Sequence, residues 1–141
     1  MKRFLIVSIW FMFTSLGFTQ GHNCKEDLFP KRSEENRLSG YVNLFGIWRV
    51  NPVFTATYPF EGNVGKILQG LKYGAVTCEG KLVIRPIYDE IGAFIGGLAW
   101  VKKDDKWGLV NDEGDVLLEP LYDEVKNVSR FNDFTWVRKD S

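Results

Sequence analysis

The stretch from residue 72 to residue 124 contains one pattern twice, 34 residues apart, and this periodicity restricts the chain to a repeat architecture. In such arrays each supersecondary unit buries its apolar face against its neighbours rather than alone. Nine of the nineteen positions from 72 to 90 are identical in the second copy. Three elements recur in register: Lys72-Tyr73-Gly74 as Lys106-Trp107-Gly108, Glu79-Gly80 as Glu113-Gly114, and Pro86-Ile87-Tyr88-Asp89-Glu90 as Pro120-Leu121-Tyr122-Asp123-Glu124.

Within each copy the sequence predicts short strands. Residues 73–77 and 82–85 flank a turn whose Gly80 can adopt the left-handed backbone conformation, and the second copy repeats this around Gly114. Pro86 and Pro120 are predicted to close the second strand, since proline cannot donate to a ladder. A third strand is predicted over 97–103 and again over 134–139. Because the loops are short, the strands should pair antiparallel.

The fold predicted from these signals is all-β: an antiparallel meander of short three-stranded repeats, about 34 residues each, in an open or partly curved array. The order of Lys-Trp-Gly, Glu-Gly, Pro, Tyr-Asp-Glu, Gly-Leu-Ala and Val-Lys-Lys resembles the WG-containing β-repeat (KWG repeat) family of bacterial proteins. The resemblance covers residues 72 to 139. It implies one repeat over 72–105 and a second over 106–141, truncated at its end.

Residues 41–71 are interpreted as a degenerate N-terminal repeat or cap, with 45–50 as its aromatic-glycine strand. This segment lies 28 residues before Tyr73-Gly74, which departs from the period. A worn terminal copy is what capping of an array predicts. Residues 21–40 are polar and charge-mixed, and we expect a linker there.

The first twenty residues have the organisation of a signal peptide. Lys2 and Arg3 precede an uncharged apolar run over 4–13, and small residues follow, so cleavage is expected after Gly17 or near Gln20. The run has about half of the roughly 20 apolar residues that a membrane span requires. We therefore expect residues 1–20 to be removed and the protein to be exported to the periplasm, the cell surface or the medium.

The two cysteines have three possible states. Cys24 and Cys78 could form a disulfide in an oxidising compartment, or both could remain free thiols. Cys24 lies close to the cleavage zone, so lipidation is a third possibility, although 21–23 match the usual preceding residues poorly.

Composition and residue types argue against several functions. The 18 Lys and Arg balance the 18 Asp and Glu, so no global field favours nucleic acid. His22 is the single histidine, which leaves no catalytic triad and no histidine-rich metal site. The Tyr-Asp-Glu carboxylates recur once per repeat, which favours structure over catalysis. We therefore predict no enzyme activity, no catalytic residue, no cofactor and no metal.

Two tryptophans are the candidate binding residues. Trp100 and Trp136 occupy equivalent strand positions, and they would form either part of the core or an exposed platform for sugar rings or an apolar partner surface. Two functions follow: a protein-interaction or scaffold module of the bacterial envelope, or a carbohydrate- or wall-binding module. The remaining motif residues are assigned to structure: Tyr73, Gly74, Trp107, Gly108, Tyr88 and Tyr122.

Overall fold

The computed structural model describes residues 3–7, 24–127 and 135–139, and these residues form strands, turns and loops without a helix. The all-β class and the antiparallel meander are thereby confirmed. The fourteen strands are β1 (Arg3–Val7), β2 (Phe29–Arg32), β3 (Ser39–Val42), β4 (Trp48–Phe54), β5 (Ala56–Glu61), β6 (Val64–Gln69), β7 (Lys72–Thr77), β8 (Leu82–Tyr88), β9 (Glu90–Ile91), β10 (Leu98–Lys103), β11 (Lys106–Asn111), β12 (Val116–Tyr122), β13 (Glu124–Asn127) and β14 (Thr135–Lys139).

The strands form four small open sheets, and the two middle sheets each span a boundary between repeats. Their orders are β2-β3-β4, β5-β6-β7-β8, β9-β10-β11-β12 and β1-β14-β13. β9 and β13 begin directly after a Tyr-Asp element. β9 pairs with β10, and β13 pairs with β14. A short fourth strand per repeat thus accompanies the three that the sequence predicts.

The core consists of layers between successive sheets. One buried cluster joins the first and second sheets, and another joins the second and third. Neighbouring residues of β7 alternate between them, with Val76 in the first cluster and Ala75 in the second. The sheet β5–β8 is therefore covered on both faces, as in a stacked array. Members of the first cluster are Leu28, Tyr41, Val50, Phe54, Ile67 and Val76. Members of the second are Val64, Ala75, Ile84, Tyr88, Ile91, Ala99, Val101 and Val110.

The N-terminal segment keeps the 34-residue period, and the aromatic-glycine strand predicted over 45–50 was misplaced. Residues 44–46 form a turn rather than a strand, and Gly46 has a positive φ of 75°, like Gly80 at 80° and Gly114 at 94°. Gly46 is thus the turn glycine, and Gly40 in β3 is the equivalent of Gly74. Four residues lie 34 positions before their counterparts: Gly40, Val42, Gly46 and Pro52 precede Gly74, Val76, Gly80 and Pro86.

The predicted linker over 21–40 also differs from the structure. It contains β2 and the start of β3, where Ser39 and Gly40 are buried. Four backbone pairs join β2 to β3, from Phe29–Val42 to Arg32–Ser39. Pattern alone missed these strands because β2 is exposed throughout and carries no apolar alternation.

Pro86 and Pro120 lie inside β8 and β12 rather than closing them. Both strands are at the edge of a sheet, where the missing N–H of proline can face away from the neighbouring strand. The strands therefore continue two residues beyond each proline to Tyr88 and Tyr122.

Candidate interaction surface

The glycine of the Lys-aromatic-Gly motif permits close contact between two strands. A Cβ at Gly74 would lie 2.5 Å from the carbonyl oxygen of Ile84, and one at Gly108 would lie 2.6 Å from that of Leu118. Gly40 has the same role, since a Cβ there would lie 2.3 Å from the carbonyl oxygen of Val50. Adding any side chain there would push against backbone, so these motif glycines are structural.

The motif aromatics also belong to the packing between paired strands. Tyr73 is the ladder partner of Tyr88, and Trp107 is that of Tyr122. Tyr88 is buried, whereas the other three are half-buried. Lys102 places its Nζ 5.4 Å from the Trp107 ring centroid, within the range of a cation–π contact.

The motif lysine and the motif aspartate of one repeat bind each other. Lys72 Nζ donates to Asp89 Oδ1, and Lys106 Nζ donates to Asp123 Oδ1 in the next repeat. Asp89 also accepts a 2.9 Å hydrogen bond from the backbone N–H of Asp104. These carboxylates therefore join the first strand of a repeat to the turn after the second, and their recurrence has a structural explanation.

These contacts shift both ionisations. The hydrogen bond from Lys72, with that from the Asp104 backbone, lowers the pKa of Asp89. The same pair raises the pKa of Lys72, because the carboxylate stabilises the ammonium form. Asp89 therefore stays deprotonated at pH values below the usual pKa of an aspartate. This favours a role in an ion pair over a role in proton transfer.

Trp100 stands between two core residues in β10, but its side chain is on the other face of the sheet. Ala99 and Val101 are buried in the second cluster, and the ladder partner of Trp100 is the buried Leu109. That face is directed towards the last sheet, since β11 lies against β13 and β12 against β14. Trp100 is half-buried there. Trp136 has the equivalent register position in β14, but its side chain lies outside the described residues.

Cys24 and Cys78 are joined by a disulfide, with a Cα–Cα distance of 5.7 Å. The bridge attaches the segment before β2 to the turn between β7 and β8. An open cavity of about 340 Å³ adjoins it, lined by both polar and apolar groups. Two of its four charged residues are paired, because Arg49 Nε donates to the carboxylate of Glu26. The lining residues are Cys24, Lys25, Glu26, Leu28, Arg49, Cys78 and Glu79.

An exposed aliphatic residue recurs at one position of three edge strands. Val53, Ile87 and Leu121 each follow the edge-strand proline and are 55%, 40% and 50% exposed. They occupy equivalent positions of β4, β8 and β12, with 34 residues between successive members. We call Val53, Ile87 and Leu121 the aliphatic stripe. No role was predicted for these residues, although an aliphatic residue follows proline at all three positions of the sequence.

A second exposed apolar feature belongs to one repeat alone. The β3–β4 turn carries Leu44, Phe45 and Ile47 in exposed positions, whereas the equivalent turn after β11 is polar. Asn43 shapes this turn, because its Oδ1 accepts hydrogen bonds from the N–H groups of Phe45 and Ile47 at 3.1 and 3.0 Å. These hydrogen bonds hold the backbone of the turn, whose apolar side chains are exposed at the end of the first sheet.

In the ranges 3–7, 24–127 and 135–139, no group of three or more His, Cys, Asp or Glu side chains is arranged to hold a metal ion. His22 and the predicted cleavage zone lie outside these ranges. The described part of the chain also contains no apolar helix of membrane-spanning length.

The chain matches the model of one protein family. The model of the WG containing repeat matches twice in succession, over residues 73–107 and 107–141. No curated protein and no solved structure matches the chain. Both matches begin at a motif aromatic, Tyr73 in β7 and Trp107 in β11. Through residues 73–141 the chain therefore belongs to the WG containing repeat family.

Proposed function

We propose that the protein is an exported, non-catalytic interaction module of the bacterial envelope that binds a protein partner through the aliphatic stripe. The observation that carries this proposal is the repeated exposure of Val53, Ile87 and Leu121. Packing does not require an aliphatic residue at a position that is about half exposed in three successive sheets. Burial of aliphatic side chains favours association by about 25 cal/mol per Å² of apolar surface.

The stacking of the sheets supports a continuous surface. Sheets that pack face to face are about 10 Å apart, so equivalent edge positions recur at a spacing that a protein partner can span. Charged residues flank the stripe within the same strands, with Arg85 before Pro86 and Glu119 before Pro120. Such a polar rim around an apolar centre is typical of protein interfaces.

Export rests on the sequence of residues 1–20, with its basic start and short apolar run. The disulfide between Cys24 and Cys78 supports it, because disulfides persist in oxidising compartments. The intact mass of the protein from an extracytoplasmic fraction tests this part. A chain beginning after Gly17 or near Gln20, with the disulfide intact, is the expected result. A cytoplasmic chain that retains residues 1–20 would contradict export.

The stripe is tested by replacing its side chains without disturbing the core. A photo-crosslinking residue at position 87 should capture a specific protein in cells, whereas the same residue at position 82 should not. With that partner purified, Val53→Ser/Ile87→Ser/Leu121→Ser should weaken binding by at least about tenfold, the effect of about 1.4 kcal/mol. Leu82→Ser/Val116→Ser is the matched control, since both side chains are 42% exposed in the same edge strands. Equal loss in both variants, with both folded, would overturn the stripe as the binding surface.

No described contact favours the carbohydrate-binding alternative through Trp100 and Trp136. Trp100 shares its face with the buried Leu109 and is half-buried on the side of the last sheet. A ring in that position loses part of the stacking surface that a sugar requires. The position of Trp100 therefore favours the protein-interaction module.

A further inference from the structure

In the last sheet, β14 pairs with β1, a strand from the start of the chain. β1 and β14 form an antiparallel ladder of five residue pairs, from Arg3–Lys139 to Val7–Thr135. In the other sheets the corresponding position belongs to a motif strand, since β11 pairs with β10 and β7 pairs with β6. Residues 3–7 therefore occupy the place that the first strand of a further repeat would take.

Five of the eight sheet edges in the described residues carry a proline, and the edges β1, β9 and β13 do not. All five prolines of the chain lie in strands at the edge of a sheet, where they hinder pairing with another chain. They are Pro30 in β2, Pro52 in β4, Pro59 in β5, Pro86 in β8 and Pro120 in β12. β14 contains no proline, and without β1 it would present an open edge of five residues.

From these observations we infer that β14 is a strand-addition site, filled by residues 3–7 in the full chain and opened to an extended apolar segment of another protein when the leader is removed. Its opening rests on the proposed export. The present occupant defines the chemistry of the partner: Phe4-Leu5-Ile6-Val7 is apolar, contains no proline and is extended when bound. Strand addition supplies affinity through main-chain hydrogen bonds.

The register determines which amides carry this contact. Arg138 O accepts a hydrogen bond from Asp123 N at 2.7 Å, so Arg138 directs its backbone groups towards β13. Because these directions alternate along a strand, Val137 directs its N–H and C=O towards β1, where its partner is Leu5. Leu5 N–H therefore faces β14, and the N–H of Ile6 faces away.

This difference provides a test in the full-length chain. Leu5→Pro removes an N–H that faces β14, whereas Ile6→Pro removes one that does not. Amide exchange at Val137 should become at least about tenfold faster in Leu5→Pro than in the wild type, and should accelerate less in Ile6→Pro. Arg138, which faces β13, should remain protected in both variants. Unchanged exchange of Val137 in Leu5→Pro would overturn the inference.

A second experiment adds the β1 segment as a separate peptide. A synthetic peptide of residues 2–8 should restore protection of Val137 in the Leu5→Pro chain. A peptide N-methylated at Leu5 should fail, and one N-methylated at Ile6 should succeed. Equal behaviour of the two methylated peptides would overturn strand addition. If Leu5→Pro instead dimerises and Val137 is protected in the dimer, the occupant is a second copy, and the inference of a foreign segment is wrong. Neither result depends on leader cleavage or the aliphatic stripe.

Discussion

At the residue scale, the glycine of the Lys-aromatic-Gly motif should tolerate no side chain. Gly74→Ala would place a Cβ 2.5 Å from Ile84 O, a backbone atom that can move only with its strand. Overpacking of this kind costs about 1–3 kcal/mol or more. We expect Gly74→Ala to lower the free energy of unfolding by at least that amount in urea denaturation. Gly92→Ala is the control, because its Cβ would meet its nearest neighbour at 3.5 Å.

The same substitution at Gly40 tests the reassigned first repeat. Val50 O lies 2.3 Å from the position of its Cβ, so Gly40→Ala should destabilise the protein as strongly as Gly74→Ala. If Gly40→Ala resembles Gly92→Ala, β3 is not the counterpart of β7. Gly40 and Pro52 carry the 34-residue signal in the sequence, but the prediction was based on an aromatic-glycine pair. Ser39 stands where the aromatic residue would be, and Phe45-Gly46 supplied a false match.

The ion pair between Lys72 and Asp89 predicts a pH dependence of stability. The pKa of Asp89 is lowered in the folded state. Its contribution to folding stability is therefore present at pH values above the unfolded-state pKa of about 3.9. That contribution is lost as the pH falls through the lower folded value. The pKa of Lys72 is raised, so its contribution is present below about 10.4 and is lost as the pH rises through the higher folded value.

Urea midpoints measured against pH test this pair. Asp89→Asn should reduce stability at neutral pH and flatten its decline on acidification below about pH 4, since the variant has no carboxylate to protonate. Glu113→Gln, an exposed side chain in the β11–β12 turn, should retain the wild-type profile. Parallel profiles for Asp89→Asn and the wild type would show that the pair does not couple protonation to folding.

At the element scale, the disulfide attaches the first strands to the centre of the array. The bridge closes a loop between residues 54 positions apart, and Leu28, four residues after Cys24, belongs to the first buried cluster. Chain entropy for a loop of this length corresponds to about 4 kcal/mol of stabilisation. Reduction should therefore lower the urea midpoint of the wild type. Cys24→Ser/Cys78→Ser should be destabilised without reductant and insensitive to it, and an unchanged midpoint on reduction would contradict this role.

The elements that the sequence predicted are those with a local signal. β7 and β10 were predicted to within one residue because alternation and turn glycines define them. The continuation of β8 and β12 past proline could not be predicted locally, since it depends on these strands being at an edge. The pairing of β2 with β3 and of β1 with β14 is likewise tertiary, and no periodicity in β2 or β1 indicates its partner.

At the scale of the whole molecule, the array should be most stable in the middle. The sheet β5–β8 is buried on both faces, by Ile67 and Val76 in the first cluster and by Val64, Ala75 and Ile84 in the second. In repeat proteins stability is approximately a sum of unit terms and nearest-neighbour interfaces. Backbone amides of β6 and β7 should therefore exchange most slowly, and those of β3 should exchange faster.

Substitutions in the two clusters distinguish this coupling from independent sheets. Ile67→Ala removes buried volume between the first and second sheets and should cost about 2–5 kcal/mol. If neighbouring sheets stabilise each other, exchange should accelerate in β3 and β11 as well as in β6 and β7. Leu82→Ser, at an exposed edge position, should leave all four strands unchanged. Acceleration confined to β5–β8 would mean that the sheets fold independently and that the repeats do not form one cooperative array.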